Sequence, residues 1–149
     1  MGNHKTDLLV IGAGPFGLAI AAQAAHRGIE YLVVGKPMEF WRKNMPPGMY
    51  LRSSWDWHLD PLDVHTIESF LKSRGQTTAD IEPLSLEFYL EYAEWFQEQK
   101  GITALPWVIQ SVARSAETGT FVATTSEGHT IEARNVALAP GFRYFPNVP

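Results

Sequence analysis

The 149-residue sequence predicts an α/β fold: a parallel sheet with flanking helices, joined to a three-stranded antiparallel β-meander. Three observations carry this. Near the N-terminus an apolar run, a glycine turn and an alanine-rich stretch of helical character follow one another without a break. Between residues 85 and 101 lies a capped amphipathic segment of helical period. Towards the C-terminus three short alternating segments, separated by turn signals, precede a last apolar run that ends in glycine.

The first element is Asp7-Leu-Leu-Val-Ile-Gly-Ala-Gly-Pro-Phe-Gly17. Residues 8–11 are apolar throughout, as a strand buried on both faces requires. Gly12, Gly14 and Gly17 then take the Gly-x-Gly-x-x-Gly spacing of a dinucleotide-binding βαβ unit, so the sheet is Rossmann-like. Gly12 lets the chain turn tightly, Gly14 lets a pyrophosphate approach the backbone, and Gly17 lets helix and strand pack closely. Pro15 suits a first helical turn, where its missing N–H costs little. The free N–H groups of that turn and the positive end of the helix dipole face the phosphates. Gly12, Gly14, Pro15, Phe16 and Gly17 are therefore candidate cofactor-binding residues.

The first helix is expected over residues 15–27, with Gly28 as its C-terminal stop. Leu18, Ala21, Ala22 and Ala25 make a small-residue face for the sheet, while Gln23, His26 and Arg27 face water. Residues 31–34, Tyr-Leu-Val-Val, form the second buried strand. The fingerprint then calls for Asp or Glu to bind a ribose hydroxyl, but the chain has Gly35-Lys36-Pro37. Three readings stand. The ribose is held by backbone groups or another side chain, Glu39 being the nearest carboxylate. Or Lys36 recognises a 2′-phosphate, which makes the ligand NADP. Or the turn carries only a solvated lysine. Gly35, Lys36 and Pro37 join the candidates.

Residues 38–65 show no clean period. They hold Trp41, Trp55 and Trp57 among Arg42, Lys43 and Arg52. So aromatic a segment is not a disordered one, and a long irregular stretch inside a domain is usually functional. Aromatic and basic residues interleaved can bind single-stranded nucleic acid. A net charge of −4 and the preceding fingerprint make a flat aromatic cofactor the better reading. Asp56, His58, Asp60, Asp63 and His65 cluster locally, but their spacing matches no metal motif, and Asp60-Pro61 is a turn signal. A structured loop is the expectation there.

Thr66 caps a short helix ending at Gly75, with Ile67, Phe70 and Leu71 buried, and residues 76–83 form a polar loop. Ser85 caps the best amphipathic helix, which runs to Lys100 and stops at Gly101. Leu86, Leu90, Ala93 and Phe96 share one face, flanked by Tyr89 and Trp95. Residues 102–105 make a third parallel strand, with this helix as the crossover. The meander follows over residues 108–112, 120–125 and 130–133. A final buried strand starts at Asn135 and ends in Ala139-Pro140-Gly141.

Composition bounds the function. Hydrophobic residues are 45% and charged residues 19%, a globular balance suited to one domain over residues 1–149. No Lys/Arg block supports nucleic acid as a partner. There is no cysteine, so disulfides and thiolate chemistry of the chain's own are excluded. No apolar run could span a bilayer and no secretory pattern precedes the first strand, so a cytoplasmic location without a membrane is expected. Residues 1–6, Met-Gly-Asn-His-Lys-Thr, match an N-myristoylation pattern, but such short patterns match by chance and a short polar leader is the better reading.

Phe40-Trp41-Arg42-Lys43-Asn44-Met45-Pro46-Pro47-Gly48 resembles the Gly-Thr-Trp-x-x-Asn-x-Tyr-Pro-Gly segment of flavin-dependent monooxygenases. Asn135-Val-Ala-Leu-Ala-Pro-Gly141 is similar to their Val-Val-x-Ala-Thr-Gly motif, and Phe145-Pro146-x-x-Pro149 to their Phe/Val-Pro-x-x-Pro. The resemblance covers nearly the whole chain, as the FAD-binding half of the two-dinucleotide-domain flavoproteins. It implies FAD as cofactor. It also implies Trp41, Arg42 and the Pro47-Gly48 turn near the flavin, with Arg52 a further candidate on the same segment. Val108 would touch the adenine through its backbone, and Ala139, Pro140 and Gly141 would close over the FAD. Pro140 stands where the family has threonine, so a hydroxyl contact is lost.

The resemblance further implies a nicotinamide domain and a second FAD segment that these residues do not contain. Either the chain is a fragment, or a partner polypeptide completes the site, or it is a reduced protein that only binds; the open sheet edge points to a partner chain or homodimer. Two other functions compete: an NADP(H)-binding module without flavin, and a degenerate Rossmann-like subunit that serves as an interaction partner.

Overall fold

The computed structural model describes residues 2–141 and 144. The Phe145-Pro146-x-x-Pro149 motif lies outside the described residues. The elements in chain order are β1 (Asn3–Ile11), α1 (Pro15–His26), β2 (Tyr31–Val34), α2 (Glu39–Asn44), α3 (Ile67–Ser73), α4 (Leu86–Lys100), β3 (Ala104–Leu105), β4 (Ile109–Arg114), β5 (Phe121–Thr125) and β6 (Thr130–Leu138). They form a mixed six-stranded sheet in the order β3-β2-β1-β6-β5-β4. The four strands β3, β2, β1 and β6 run parallel, and β4, β5 and the start of β6 form the antiparallel meander. The α/β class and the meander are as the sequence reads.

Burial follows a period of two along each parallel strand. Leu8 and Val10 of β1, Tyr31 and Val33 of β2, and Ala104 of β3 face the helices, where they meet Leu18, Ala21 and Ala22 of α1 and Tyr92, Ala93 and Phe96 of α4. Leu9, Ile11, Leu32, Val34 and Leu105 face the other way, into a second cluster with Ala123 of β5 and Ile131 and Ala133 of β6. The sheet coils so that the meander covers the face the helices leave bare. This is why residues 8–11 are apolar throughout: both faces exclude water.

Four details differ from expectation. Residues 130–138 are one strand rather than a meander strand and a separate final one. β6 pairs antiparallel with β5 at its start and parallel with β1 from Thr130 to Leu138. The same pairing turns residues 3–6, read as part of a polar leader, into strand. On α1 it is Ala24, not Ala25, that is buried, because the short helix meets the sheet over a narrow stripe. On α4 Tyr92 is fully buried along with Ala93 and Phe96, while Leu90 is only partly buried. The tyrosine hydroxyl makes this possible: it accepts from the Leu59 N–H at 3.0 Å and donates to the His65 carbonyl at 2.8 Å.

The acid–histidine segment is structural. The Asp60 side chain is fully buried and forms an ion pair of 2.8 Å with Lys100 at the end of α4. It also accepts from the N–H groups of Leu62, Val64 and His65 at 3.1, 3.3 and 2.7 Å. One carboxylate thus closes the turn and ties it to the longest helix. Among the described residues no group of three or more His, Cys, Asp or Glu is placed to hold a metal, and no helix is long and apolar enough to cross a membrane.

Burial by itself would raise the Asp60 pKa. The Lys100 ammonium and the backbone N–H groups of His65 and Leu62 outweigh it and hold the carboxyl below its ordinary value. The stability this adds is complete above the ordinary carboxylate range, about pH 4, and is lost as pH falls through the depressed folded value. Denaturant titrations below neutrality should show a steeper acid loss for the native chain than for Asp60→Asn. At neutral pH, Lys100→Met leaves the carboxylate buried without its cation and should cost about 3–5 kcal/mol. A loss under about 1 kcal/mol would mean the pair behaves as a surface one.

Candidate dinucleotide site

The carboxyl ends of the parallel strands converge on one glycine loop. The Gly12 N–H donates to the Val34 carbonyl at 2.8 Å, and the Ala139 N–H to the Ile11 carbonyl at 2.8 Å. The Gly35 N–H donates to the Leu105 carbonyl at 2.8 Å, and the Met38 N–H to the Ala13 carbonyl at 3.0 Å. These bonds stitch β1, β2, β3 and β6 together just where each ends. The chain leaves β1 towards β2 on one side and returns as β6 on the other. That is the switch point at which open α/β sheets leave a crevice for ligands.

Side chains are absent where they would block the convergence. A Cβ on Gly12 would lie 2.0 Å from the Ala139 carbonyl oxygen, and one on Gly17 only 1.8 Å from the Gly12 oxygen. Gly14 is different: a Cβ there meets nothing within 4 Å. Its glycine is not needed for packing, and the space above it is open. Gly14 is the N-cap of α1, in extended conformation, with Pro15 next. No side chain caps this helix and no acidic residue stands in its first turn. A twelve-residue helix therefore presents uncapped N–H groups and its positive dipole end to open space beside a residue without a side chain. This cradle suits a pyrophosphate.

The contacts bring together Gly12, Gly17, Gly35, Ala139 and Pro140. Gly14, Pro15 and Phe16 sit on the same loop, and Phe16 is 80% exposed. Lys36 and Pro37 follow in the turn after β2, and Gly141 follows Pro140, exposed. Lys36 lies 3.8 Å from the Glu39 carboxylate, which Lys43 also holds at 2.7 Å. Trp41 and Arg42 lie on α2, a helix the irregular pattern hid. The Trp41 ring packs 5.2 Å from that of Tyr89, and Arg42 pairs with Glu94 at 2.6 Å. Both tie α2 to α4. Arg52 and Val108 are exposed loop residues outside this contact set. The Val108 carbonyl accepts from the Ser126 N–H at 2.9 Å.

Sequence reasoning missed Met38 and Leu138. Met38 is 1% exposed in a left-handed conformation, φ 53°, and anchors the turn after β2 under the glycine loop. No periodicity marks such a residue. Leu138 ends β6 71% exposed beside Ala139. An apolar side chain in water at the crevice could have been found from the strand's alternation, had its true length been known.

Residues 9–149 match the family model described as Pyridine nucleotide-disulphide oxidoreductase. Among solved structures the chain is similar to bacillithiol disulfide reductase from Bacillus cereus, with TM-score 0.74 at 23% identity over 97% of this chain and 42% of that one. It is similar to a flavin-containing monooxygenase from Stenotrophomonas maltophilia, with TM-score 0.68 at 20% identity over 91% of this chain and 38% of that one. It is similar, too, to a cyclohexanone monooxygenase mutant from Rhodococcus sp. Phi1, with TM-score 0.71 at 20% identity over 98% of this chain and 28% of that one. At these identities the likeness is one of fold, and the chain spans well under half of each. No curated protein matches.

The two glycines of the loop should separate by experiment. Gly17→Ala forces a methyl into the Gly12 carbonyl and should cost about 3 kcal/mol or more in thermal or denaturant unfolding. Gly14→Ala, placed in open space, should stay within about 1 kcal/mol of the native chain.

Proposed function

We propose, from the premise that this chain belongs to the pyridine nucleotide-disulphide oxidoreductase family, that it is the FAD-binding domain of a flavin-dependent oxidoreductase. The pyrophosphate would be held at the N-terminus of α1. The observation that carries this is the open cradle at Gly14, uncapped and free of acidic residues, at the switch point of a parallel sheet. The flavin part of the reading draws on the names of the similar structures, which include a flavin-containing monooxygenase, and on the Trp41-Arg42 and Ala139-Pro140-Gly141 motifs.

FAD would bring its own redox chemistry, and the chain would supply binding and orientation. The Gly12–Gly17 loop would take the pyrophosphate through N–H groups. Ala139, Pro140 and Gly141, fixed against Gly12, would border the crevice on the β6 side. Val108 would offer its backbone N–H to the adenine, its carbonyl being occupied by Ser126. Trp41 and Arg42 would act from α2, as parts of the wall that joins α2 to α4. A cytoplasmic location and a partner chain or second copy along a sheet edge belong to the same proposal; β4 is the longer exposed edge. NADP(H) binding is the second reading, and Lys36 is the feature that favours it, with 55% of its side chain exposed beside the strand end.

The test is the visible spectrum of the purified chain and its titration with FAD. A flavin spectrum, or uptake of added FAD that Gly14→Ala weakens at least tenfold without loss of stability, is the expected result. Protein that takes up no FAD under any loading condition would refute the proposal.

A further inference from the structure

We infer that His4 and His129 form a two-imidazole site for a divalent transition-metal ion, Cu(II) first and Ni(II) after it. The site lies at the opposite end of β1 from the glycine loop and is independent of the dinucleotide reading.

The two residues are far apart in sequence and meet where the sheet begins. His4 lies in the first turn of the pleat of β1, and His129 immediately precedes β6. The two strands pair there, Asn3 with Thr130 and His4 with Ile131. The Thr130 N–H donates to the Gly2 carbonyl at 3.2 Å. Thr125 holds the His129 backbone twice: the His129 N–H donates to its hydroxyl at 3.0 Å, and the His129 carbonyl accepts from its N–H at 2.9 Å. Thr125 is itself buried in the meander. Both histidine backbones are therefore fixed by the fold. One indole then forms a wall for both rings. Trp107 stacks on His129 with centroids 4.3 Å apart and planes 15° from parallel, and the His4 ring stands 5.1 Å from the same indole. Trp107 packs in turn against the second hydrophobic cluster.

A nitrogen from each ring borders one gap, and the gap is open because residue 2 is glycine. A Cβ on Gly2 would stand 3.0 Å from His4 Nε2 and 3.7 Å from His129 Nδ1. His129 Nδ1 accepts from the Gly2 N–H at 3.2 Å, so its lone pair already faces this side. Among the described residues no hydrogen bond engages His4 Nε2. A metal ion takes an imidazole nitrogen at about 2.0–2.1 Å, a closure of roughly 1–1.5 Å that small side-chain rotations supply. Two imidazoles fall short of the four ligands of a structural zinc centre. They suit an ion that completes a tetragonal shell with water, and the general order of affinities places Cu(II) above Ni(II). The ion would replace the Gly2 N–H at His129 Nδ1 and release that N–H to water, Gly2 being partly exposed. Bound there, it would clamp the start of β1 to the start of β6.

Titration of the full chain, prepared without a polyhistidine tag, with copper(II) chloride tests this. A Cu(II) ion held beside Trp107 quenches its fluorescence, which gives the binding curve. The expected result is a single saturable site, two nitrogen donors in the electron paramagnetic resonance spectrum, and weaker binding of Ni(II). His4→Phe and His129→Phe each keep a ring against Trp107 and remove its nitrogens. Each should weaken Cu(II) binding at least about tenfold, since even the outer partners of a metal site matter on that scale. The double variant should bind no more weakly than either single one, because either loss breaks the chelate. Circular dichroism would show that each variant is folded. Cu(II) should also raise the thermal unfolding midpoint of the native chain and not that of the double variant, because an ion bound by the folded arrangement alone stabilises it. The double variant retains His26, His58 and His65 and so measures scattered binding. If the native chain binds Cu(II) no more tightly than the double variant, if both single variants bind as the native chain does, or if the bound ion carries one imidazole nitrogen only, the inference is overturned.

Discussion

Backbone meeting backbone at Gly12 is the constraint on which the rest of the structure depends. The Gly12 amide is bonded to the end of β2, its α-carbon faces the carbonyl of Ala139 at the end of β6, and its own oxygen lies where a side chain on Gly17 would go. Three chain segments therefore share one small volume with no side chain between them. Because β1 and β6 can approach this closely, they pair in register from Asn3 to Ile11. Because α1 can descend onto the loop, its first turn points at the same crevice. Fold and candidate site are consequences of a single close contact, so neither can be altered there without the other.

The sheet around that contact solves a covering problem. A parallel strand has two apolar faces and needs a layer on each. Helices α1 and α4 cover one. On the other the chain spends no helix and turns its own continuation back as a meander. β6 makes this economical, belonging to the meander at one end and to the parallel sheet at the other. The carboxyl ends of β1, β2, β3 and β6 meet at the glycine loop, and that rim is where the candidate site lies.

The long segment between β2 and α4 is held by polar bonds rather than by period. Tyr92 and Lys100, two turns apart on α4, reach the same short stretch: the tyrosine hydroxyl bridges Leu59 and His65, and the lysine pairs with Asp60. Trp41 on Tyr89 and Arg42 on Glu94 do the same for α2. α4 is thus the post to which the long segment after β2 is fastened. Trp41 and Arg42, candidates for the cofactor from the sequence, and Asp60 of the acid–histidine segment each have a mechanical part there.

By itself the sequence determined the class of fold, the identity of the glycine loop and most helix boundaries. Those rest on local signals: apolar runs, glycine spacing, Thr66 and Ser85 as caps that the structure shows accepting from Ser69 and Phe88, and Gly101 in the left-handed conformation after α4. The match of residues 9–149 to the pyridine nucleotide-disulphide oxidoreductase family agrees with that reading. Tertiary structure decided what depends on partners distant in sequence. Whether residues 3–6 are leader or strand is settled by residues 130–133, more than a hundred positions away. Whether Gly35 could have been an acid is settled by Ala13, whose nitrogen a Cβ there would approach to 3.1 Å. How the Asp60 carboxylate can be buried is settled by Lys100, forty residues on, although the turn itself was legible in Asp60-Pro61. A local signal reports the hydrogen bonds and burial a segment can satisfy alone, and these three places satisfy theirs only against another part of the chain.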